Sequence, residues 1–395
     1  MDICLDKIHV SRKKVFSFVE KLKVKNGYKY TINHDFNKYP AALLYGTWSA
    51  VYLNELCGVN DADKIVKKCV LKTLENYRRS DGIYFPKALE DAKYPKSKEY
   101  MYLHCYNYTV GACRLLNPDF DFQSKYMDYF LDADHLERWL NQRSLERPWE
   151  ESNNIVNVAS YLALCNENGN SIGKDRLYQM LEWHNRVQNP RTGGFENFSP
   201  NRKNILQSMG GAVHNFHIHH YLNEPMKYEE LIGQNVIPFL FEGPLTACLS
   251  IDFVELACKS LPFMKDSFEL EQALLFHLNA LLAYQNEDGG FFENETSKKP
   301  TTANGMKEDT ASSNSYATWF RMCSIGMIST TLLGDSPENW RFRDTLGMGY
   351  YQPKRFKEIN TLDVDRKILK KYNRINFPHK LIKHAIEIGV KLLSR

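Results

Sequence analysis

Two kinds of helical segment alternate along this 395-residue chain, and that alternation limits the folds open to it more than any other feature. Six segments keep helical spacing while carrying almost no charge: 39–56, 102–116, 152–165, 210–222, 248–261 and 313–328. A helix this poor in charge must be covered on most of its sides. Between them lie five charged, amphipathic segments, 63–80, 125–144, 174–188, 228–241 and 269–285, whose one-sided apolar stripes suit an outer layer. Turn signals close several of these, as in Ser80-Asp81-Gly82 and Glu287-Asp288-Gly289-Gly290. Strand-like alternation is scarce. A spacing of roughly 35–65 residues between like segments is the mark of a repeat architecture. Two concentric layers bury every apolar face, so the pattern predicts an all-α fold, an (α/α)6 toroid in a single domain over residues 1–395. The tail 336–395 is expected to complete the outer ring as a C-terminal extension, through an amphipathic stretch at 379–393. The stretch 10–22 is the other candidate for that place.

Composition then removes whole classes of function. Lys and Arg number 51 against 47 Asp and Glu, a formal charge of +4 that is too weak for a nucleic-acid footprint. The basic runs, Arg12-Lys13-Lys14 and Lys370-Lys371, are short enough to be solvated faces. No stretch reaches the ~18 apolar residues of a membrane span, and the charged N-terminus does not resemble a signal peptide. Nine cysteines form no CxxC pair and read as reduced thiols, so a cytoplasmic protein is expected. An aromatic content of 13% fits either thick helix packing or an aromatic-lined cavity.

Two outer segments end in related phrases, Gln188-Asn-Pro-Arg-Thr-Gly-Gly-Phe195 and Gln285-Asn-Glu-Asp-Gly-Gly-Phe291. These resemble the Q-x-x-D-G-G-F/W repeat of the terpenoid-cyclase and protein-prenyltransferase superfamily, a phrase also found in some toroid polysaccharide lyases. The resemblance implies the toroid scaffold. A Gln at a helix end is placed to bond exposed carbonyls, and Gly-Gly supplies the positive φ of a tight exit. The superfamily's catalytic signatures are not matched: Asp119-Phe-Asp121 and Asp363-Val-Asp365 lack the second adjacent Asp of D-x-D-D, and no DDxxD stretch occurs.

In such a ring the starts of the inner helices converge on one mouth, and each inner segment offers polar or aromatic groups there. Trp48, His104 and Tyr108 come from the first two, and Trp149, Glu151, Asn153 and Asn154 from the third. The fourth carries His214, His217, His219 and His220, of which His214 and His217 share a face at helical pitch while His219 points elsewhere. Gly210-Gly211 would let the backbone approach a ligand. The fifth offers Asp252 and Glu255, which burial obliges to meet Arg147 or a histidine or to face a wet cavity. The sixth offers Asn314 and Trp319.

Carboxylates, imidazoles, amides and rings together suit a hydroxyl-rich ligand. The expectation is a carbohydrate-active enzyme of lyase, epimerase or glycoside hydrolase type, acting on an oligosaccharide or sugar intermediate such as a bacterial glycan. His214, His217, Glu151 and Asp252 are its catalytic candidates; Trp48, His104, Tyr108, Trp149, Asn153, Asn154, Glu255, Asn314 and Trp319 are its substrate-binding ones. Proton abstraction would use a histidine and amide donors, whereas hydrolysis needs facing carboxylates, Glu151 and Asp252. No cofactor is expected; a divalent metal on His214, His217 and Asp252 is the sole metal arrangement the spacing offers. Replacing His217 or Glu151 by Ala is expected to abolish turnover with the thermal midpoint nearly unchanged. Two other readings stand beside this one. Hydrocarbon walls around one isolated acid would mark a terpenoid cyclase or prenyltransferase-like enzyme, and a filled centre would mark a non-catalytic binding scaffold.

Overall fold

The architecture was taken from a computed structural model that describes residues 3–34, 41–58, 64–90, 97–197, 201–293, 312–359 and 361–376. It is helical throughout, apart from two short antiparallel ribbons, β1 (Lys23–Val24) with β2 (Gly27–Tyr28) and β3 (Phe291–Phe292) with β4 (Ser313–Asn314). The six charge-poor segments become helices α2 (Ala42–Leu56), α4 (Lys98–Leu116), α7 (Pro148–Glu167), α9 (Arg202–Leu222), α11 (Ala247–Ser260) and α13 (Ser315–Leu332). Each packs on the next in that order, and α13 packs in turn on α2, so the succession of contacts returns to its start. This explains their composition. A helix with core neighbours on two sides and a flanking helix behind has no face left for water, and all 18 residues of α13 are buried.

The amphipathic segments become the flanking layer. Helix α3 (Lys64–Glu75) lies on α2 and α4, α8 (Ile172–Val187) on α7 and α9, α10 (Glu229–Leu240) on α9 and α11, and α12 (Phe268–Ala283) on α11 and α13. The short pair α5 (Lys125–Asp128) and α6 (Ala133–Asn141), joined by a 3-10 turn at 129–131, reaches α7 and α8. The place between α13 and α2 is filled by α1 (Ile3–Leu22), which touches both and also α12. The first helix of the chain therefore takes the sixth flanking position. The described part of the tail goes elsewhere, and the stretch 379–393 lies outside the described residues.

The two Gly-Gly phrases build one device twice. Gln188 Nε2 donates to Gly193 O at 2.8 Å and to Lys227 O at 3.0 Å; Gln285 Nε2 donates to Gly289 O at 2.8 Å and to Ser11 O at 2.9 Å. Gly193 and Gly289 sit at φ 77° and 95°, a region closed to most side chains. The glutamine closes the turn that follows the helix and ties it to a neighbouring segment, rather than bonding the helix's own last carbonyls.

After α13 the chain folds back over the C-terminal halves of the core helices. Arg341 N bonds Leu56 O at the end of α2, and the Arg343 guanidinium enters between α4 and α7, donating to Asn107 Oδ1 at 3.1 Å and Ser160 Oγ at 3.3 Å. Gly347 (φ 139°) lets the loop close on this arginine, because a Cβ there would stand 2.4 Å from its Nη1. Residues 361–376 run on over α12 and α10, where Tyr372 stacks on Phe241 at 4.5 Å and Asn376 bonds Pro238 O.

Candidate functional site

The predicted residues meet in two separate places, a packed column of side chains and the approach to an open pocket. Around the axis of the core helices runs a column of rings: Trp48 lies 4.5 Å from Tyr108 and 6.2 Å from Trp319, and Trp319 stacks on Tyr52 at 4.5 Å. Trp48 is 0% and Tyr108 1% exposed, so these rings are packing and offer no stacking platform to a sugar. His104 stacks against Tyr100 and Tyr108 within the same column and is buried, which lowers its pKa to about 3. His214, also fully buried and pushed down to about 3 by burial, approaches Ser152 Oγ at 3.4 Å.

Asp252 is the unusual group here. It is 0% exposed with the Trp149 side chain as its hydrogen-bonding neighbour, and burial, reinforced by the nearby charge of Glu255, drives its pKa well above the carboxylate range. It is a neutral acid. His104 Nδ1 and His214 Nε2 are buried without a partner.

Several of the expected site residues have structural work instead. The Glu151 carboxylate is held by Arg143 at 3.0 Å at the start of α7, where Arg143 also pairs with Glu99 at 3.1 Å, so Glu151 is engaged away from Asp252. Asn154 donates to Glu151 and Asn153 to Trp149 O, both local bonds of the first turn. Asn314 caps α13 by accepting from Ala317 N at 2.7 Å. The close approach that Gly210-Gly211 permits is to α7: a Cβ on Gly211 would stand 2.6 Å from Pro148 O, and one on Gly210 3.3 Å from the Trp149 ring.

The second place joins the histidine helix to an open pocket. His217 Nε2 meets Glu255 Oε1 at 2.9 Å, and Lys259, one helical turn on from Glu255, meets the same oxygen at 3.2 Å. Burial alone would raise the Glu255 pKa, yet His217 and Lys259 hold it below the usual value, so the carboxylate is charged. Lys259 Nζ also bonds His220 Nδ1. Burial lowers the pKa of Lys259, with Glu255 partly restoring it, and burial with the adjacent ammonium keeps His220 far below the ordinary range. His220 is therefore a neutral imidazole, and accepting at Nδ1 leaves its proton on Nε2. His219 turns away, bonding Pro225 O and stacking on His184.

Lys259 and His220 stand in the wall of a pocket of about 410 Å3 between the ends of α9 and α11, closed on another side by tail residues 351–356. Glu224, Glu229, Asn223, Gln352, Lys354 and Arg355 supply further polar groups, and Tyr351, Phe263 and Phe356 supply apolar ones. Burial raises Glu229 to about 7. Among the described residues the two non-glycine residues with positive φ border this pocket: Asn223 (55°) in its wall and Tyr228 (60°) immediately before Glu229. Such backbone is costly for a tyrosine and collects at functional sites. Of the predicted histidines only His220 reaches the pocket. Lys259 was legible as the i+4 partner of Glu255, whereas Glu229 and the tail residues carry no local signal.

Among the described residues no three His, Cys, Asp or Glu are grouped to hold a metal ion, and no helix is long and apolar enough to cross a membrane. Comparison with known protein families, with curated proteins and with solved structures gives no match to this chain.

Proposed function

We propose that the chain is an (α/α)6 toroid and a carbohydrate-active enzyme that moves a proton on a hydroxyl-rich substrate, in the manner of an epimerase or lyase, within the pocket between α9 and α11. The six core helices with a returning contact, six flanking elements and the paired Gln-Gly-Gly exits support the toroid. The observation that carries the activity is the company of two titratable groups displaced in opposite senses in one pocket: Glu229, lifted to about 7, and His220, kept neutral and propped by Lys259. At neutral pH Glu229 exists in both protonation states and so can take a proton from carbon and return it. A neutral His220 with its proton on Nε2 can polarise the adjoining carbonyl, with the Lys259 ammonium behind it steadying the charge that develops. Asn223 and Gln352 are placed to bond hydroxyls, and Tyr351 and Phe356 to cover a ring face. Hydrolysis by Glu151 and Asp252 finds no support, since one is ion-paired at the helix start and the other is neutral and fully enclosed. The test is solvent exchange: a panel of sugars incubated in D2O should show enzyme-dependent loss of one C–H proton signal, absent with Glu229→Gln. No exchange with any sugar would overturn the reading.

A second reading rests on Asp252. A neutral carboxylic acid near Tyr108 and Trp149 is the kind of acid that a terpenoid-cyclase-like enzyme would use on an alkene. It requires the ring column to open. Thermal stabilisation by an isoprenoid diphosphate, lost in Asp252→Asn, would favour it over the carbohydrate reading.

A further inference from the structure

The charges around the pocket say more about the ligand than its acid–base groups do. Three cationic side chains from two distant parts of the sequence reach it: Lys259 from α11, and Lys354 and Arg355 from the tail. Their charges are not equally spent. Lys259 is answered by Glu255, and Arg355 donates to Gly334 O at 2.8 Å and lies 3.7 Å from Glu358. Lys354 makes no ion pair among the described residues, and its charge acts on both Lys259 and His220. Two acids face the same space. Glu224 is bonded by the Tyr178 hydroxyl at 3.5 Å, and Glu229 is partly uncharged at neutral pH. The tail side of the pocket is thus electropositive.

A single carboxylate is satisfied by one guanidinium fork. Here the tail gives two consecutive, independent cations, and Lys259 lies in a third part of the wall, an arrangement better matched to a group with three acceptor oxygens and close to two charges. The volume of about 410 Å3 is within the usual range for one small ligand and its polar handle.

Building on the carbohydrate reading above, we propose that the substrate is a phosphorylated monosaccharide whose phosphate is held by Lys354 and Arg355. The proposal concerns recognition only, and Lys354 and Arg355 are placed on the phosphate, away from the reacting carbon. Calorimetric titration of the full chain with glucose 1-phosphate, glucose 6-phosphate, glucuronate, glucose and inorganic phosphate tests it, at low and at raised salt. A hexose phosphate should bind about tenfold or more tightly than glucose or glucuronate, more weakly at raised salt. The Lys354→Ala, Arg355→Ala double variant should lose about tenfold of that affinity with its melting temperature unchanged. If glucose or glucuronate binds as tightly and the double variant binds it equally well, the phosphate assignment is overturned and the carbohydrate reading stands. If inorganic phosphate matches the hexose phosphates, the sugar-phosphate assignment fails as well. If none of the five binds, both readings fall.

Discussion

Replacing His217 by Ala separates a structural imidazole from a catalytic one. His217 is 0% exposed and its Nε2 lies 2.9 Å from Glu255, a carboxylate that stays charged in a fully buried position. Removing a hydrogen-bond partner of a buried charged group costs ~1–3 kcal/mol. Lys259, at 3.2 Å from the same oxygen, remains to compensate Glu255 and keeps this term within that range. The void left by the ring adds ~2 kcal/mol, in proportion to larger aromatic truncations. The total, about 3–5 kcal/mol, contrasts with the sequence-based expectation of an unchanged midpoint. With an unfolding entropy of ~2.1 cal/mol/K per residue, the whole chain has ~0.8 kcal/mol/K, so the melting temperature should fall by ~4–6 °C. Glu151→Ala is the control. Its carboxylate is part-exposed and Arg143 keeps Glu99, so the loss should stay below ~1 kcal/mol. Differential scanning calorimetry at pH 7.5 reads both. A His217→Ala melting temperature within about 1 °C of the parent would refute the argument that this ring is held as half of a buried pair.

Three other outcomes follow from groups already described. Six histidines, His104, His184, His214, His219, His220 and His277, are neutral in the fold because burial lowers their pKa values, so the unfolded chain takes up protons that the native chain does not. Their contribution is complete above the unfolded value of about 6.5 and is lost as the pH falls toward 3–4, at up to ~1.4 kcal/mol per pH unit for each histidine. The raised acids Asp252, Glu229 and Glu293 act in the opposite sense, since their stabilising neutral forms are lost as the pH rises, but they are fewer. Urea unfolding should therefore show stability declining below pH 6.5, and a flat profile from 6.5 to 4.5 would contradict the buried neutral state. Activity, once a substrate is in hand, should have a limb near pH 7 from Glu229, and in Glu229→Gln any residual rate should lose that limb; its persistence would assign the titration elsewhere. Gly289→Ala puts a Cβ 2.1 Å from Lys14 O at φ 95°, and a cost of ~2 kcal/mol or more is expected with ligand affinity unchanged; a neutral effect on urea midpoint would show that the turn relaxes freely.

The helices were legible because burial writes itself into composition. Segments with almost no charge became the core helices and segments with one apolar stripe became flanking ones, most within a few residues of the expected bounds, although α9 begins at Arg202, eight residues before the expected start, and 125–144 breaks into α5, a 3-10 turn and α6. The pairing of the histidine helix with the acidic one was legible too, since His217 meets Glu255 as the cost of an unpaired buried acid required. The site was not. Sequence spacing places Glu151, Asn153 and Asn314 at helix starts but cannot distinguish a residue that turns outward to Arg143, or caps its own helix, from one that faces the axis. Nor can it show that residues 340–356 double back, bringing Lys354 and Arg355 to a helix pair more than ninety residues earlier in the chain. Tyr228 reads as the first residue of an outer amphipathic segment until its φ of 60° is seen.

The position of α1 bears on how the molecule is made. Helix α1 rests on α13 and α12, and Arg12 donates to Asn339 O across 327 positions of sequence. The apolar side of α1 (Ile8, Val15, Phe18 and Leu22) is covered partly by α2 and partly by α12 and α13, which follow more than two hundred residues later. Such distant closure slows assembly and leaves apolar surface uncovered in the meantime, which makes insolubility of fragments truncated before residue 332 the natural accompaniment of this topology.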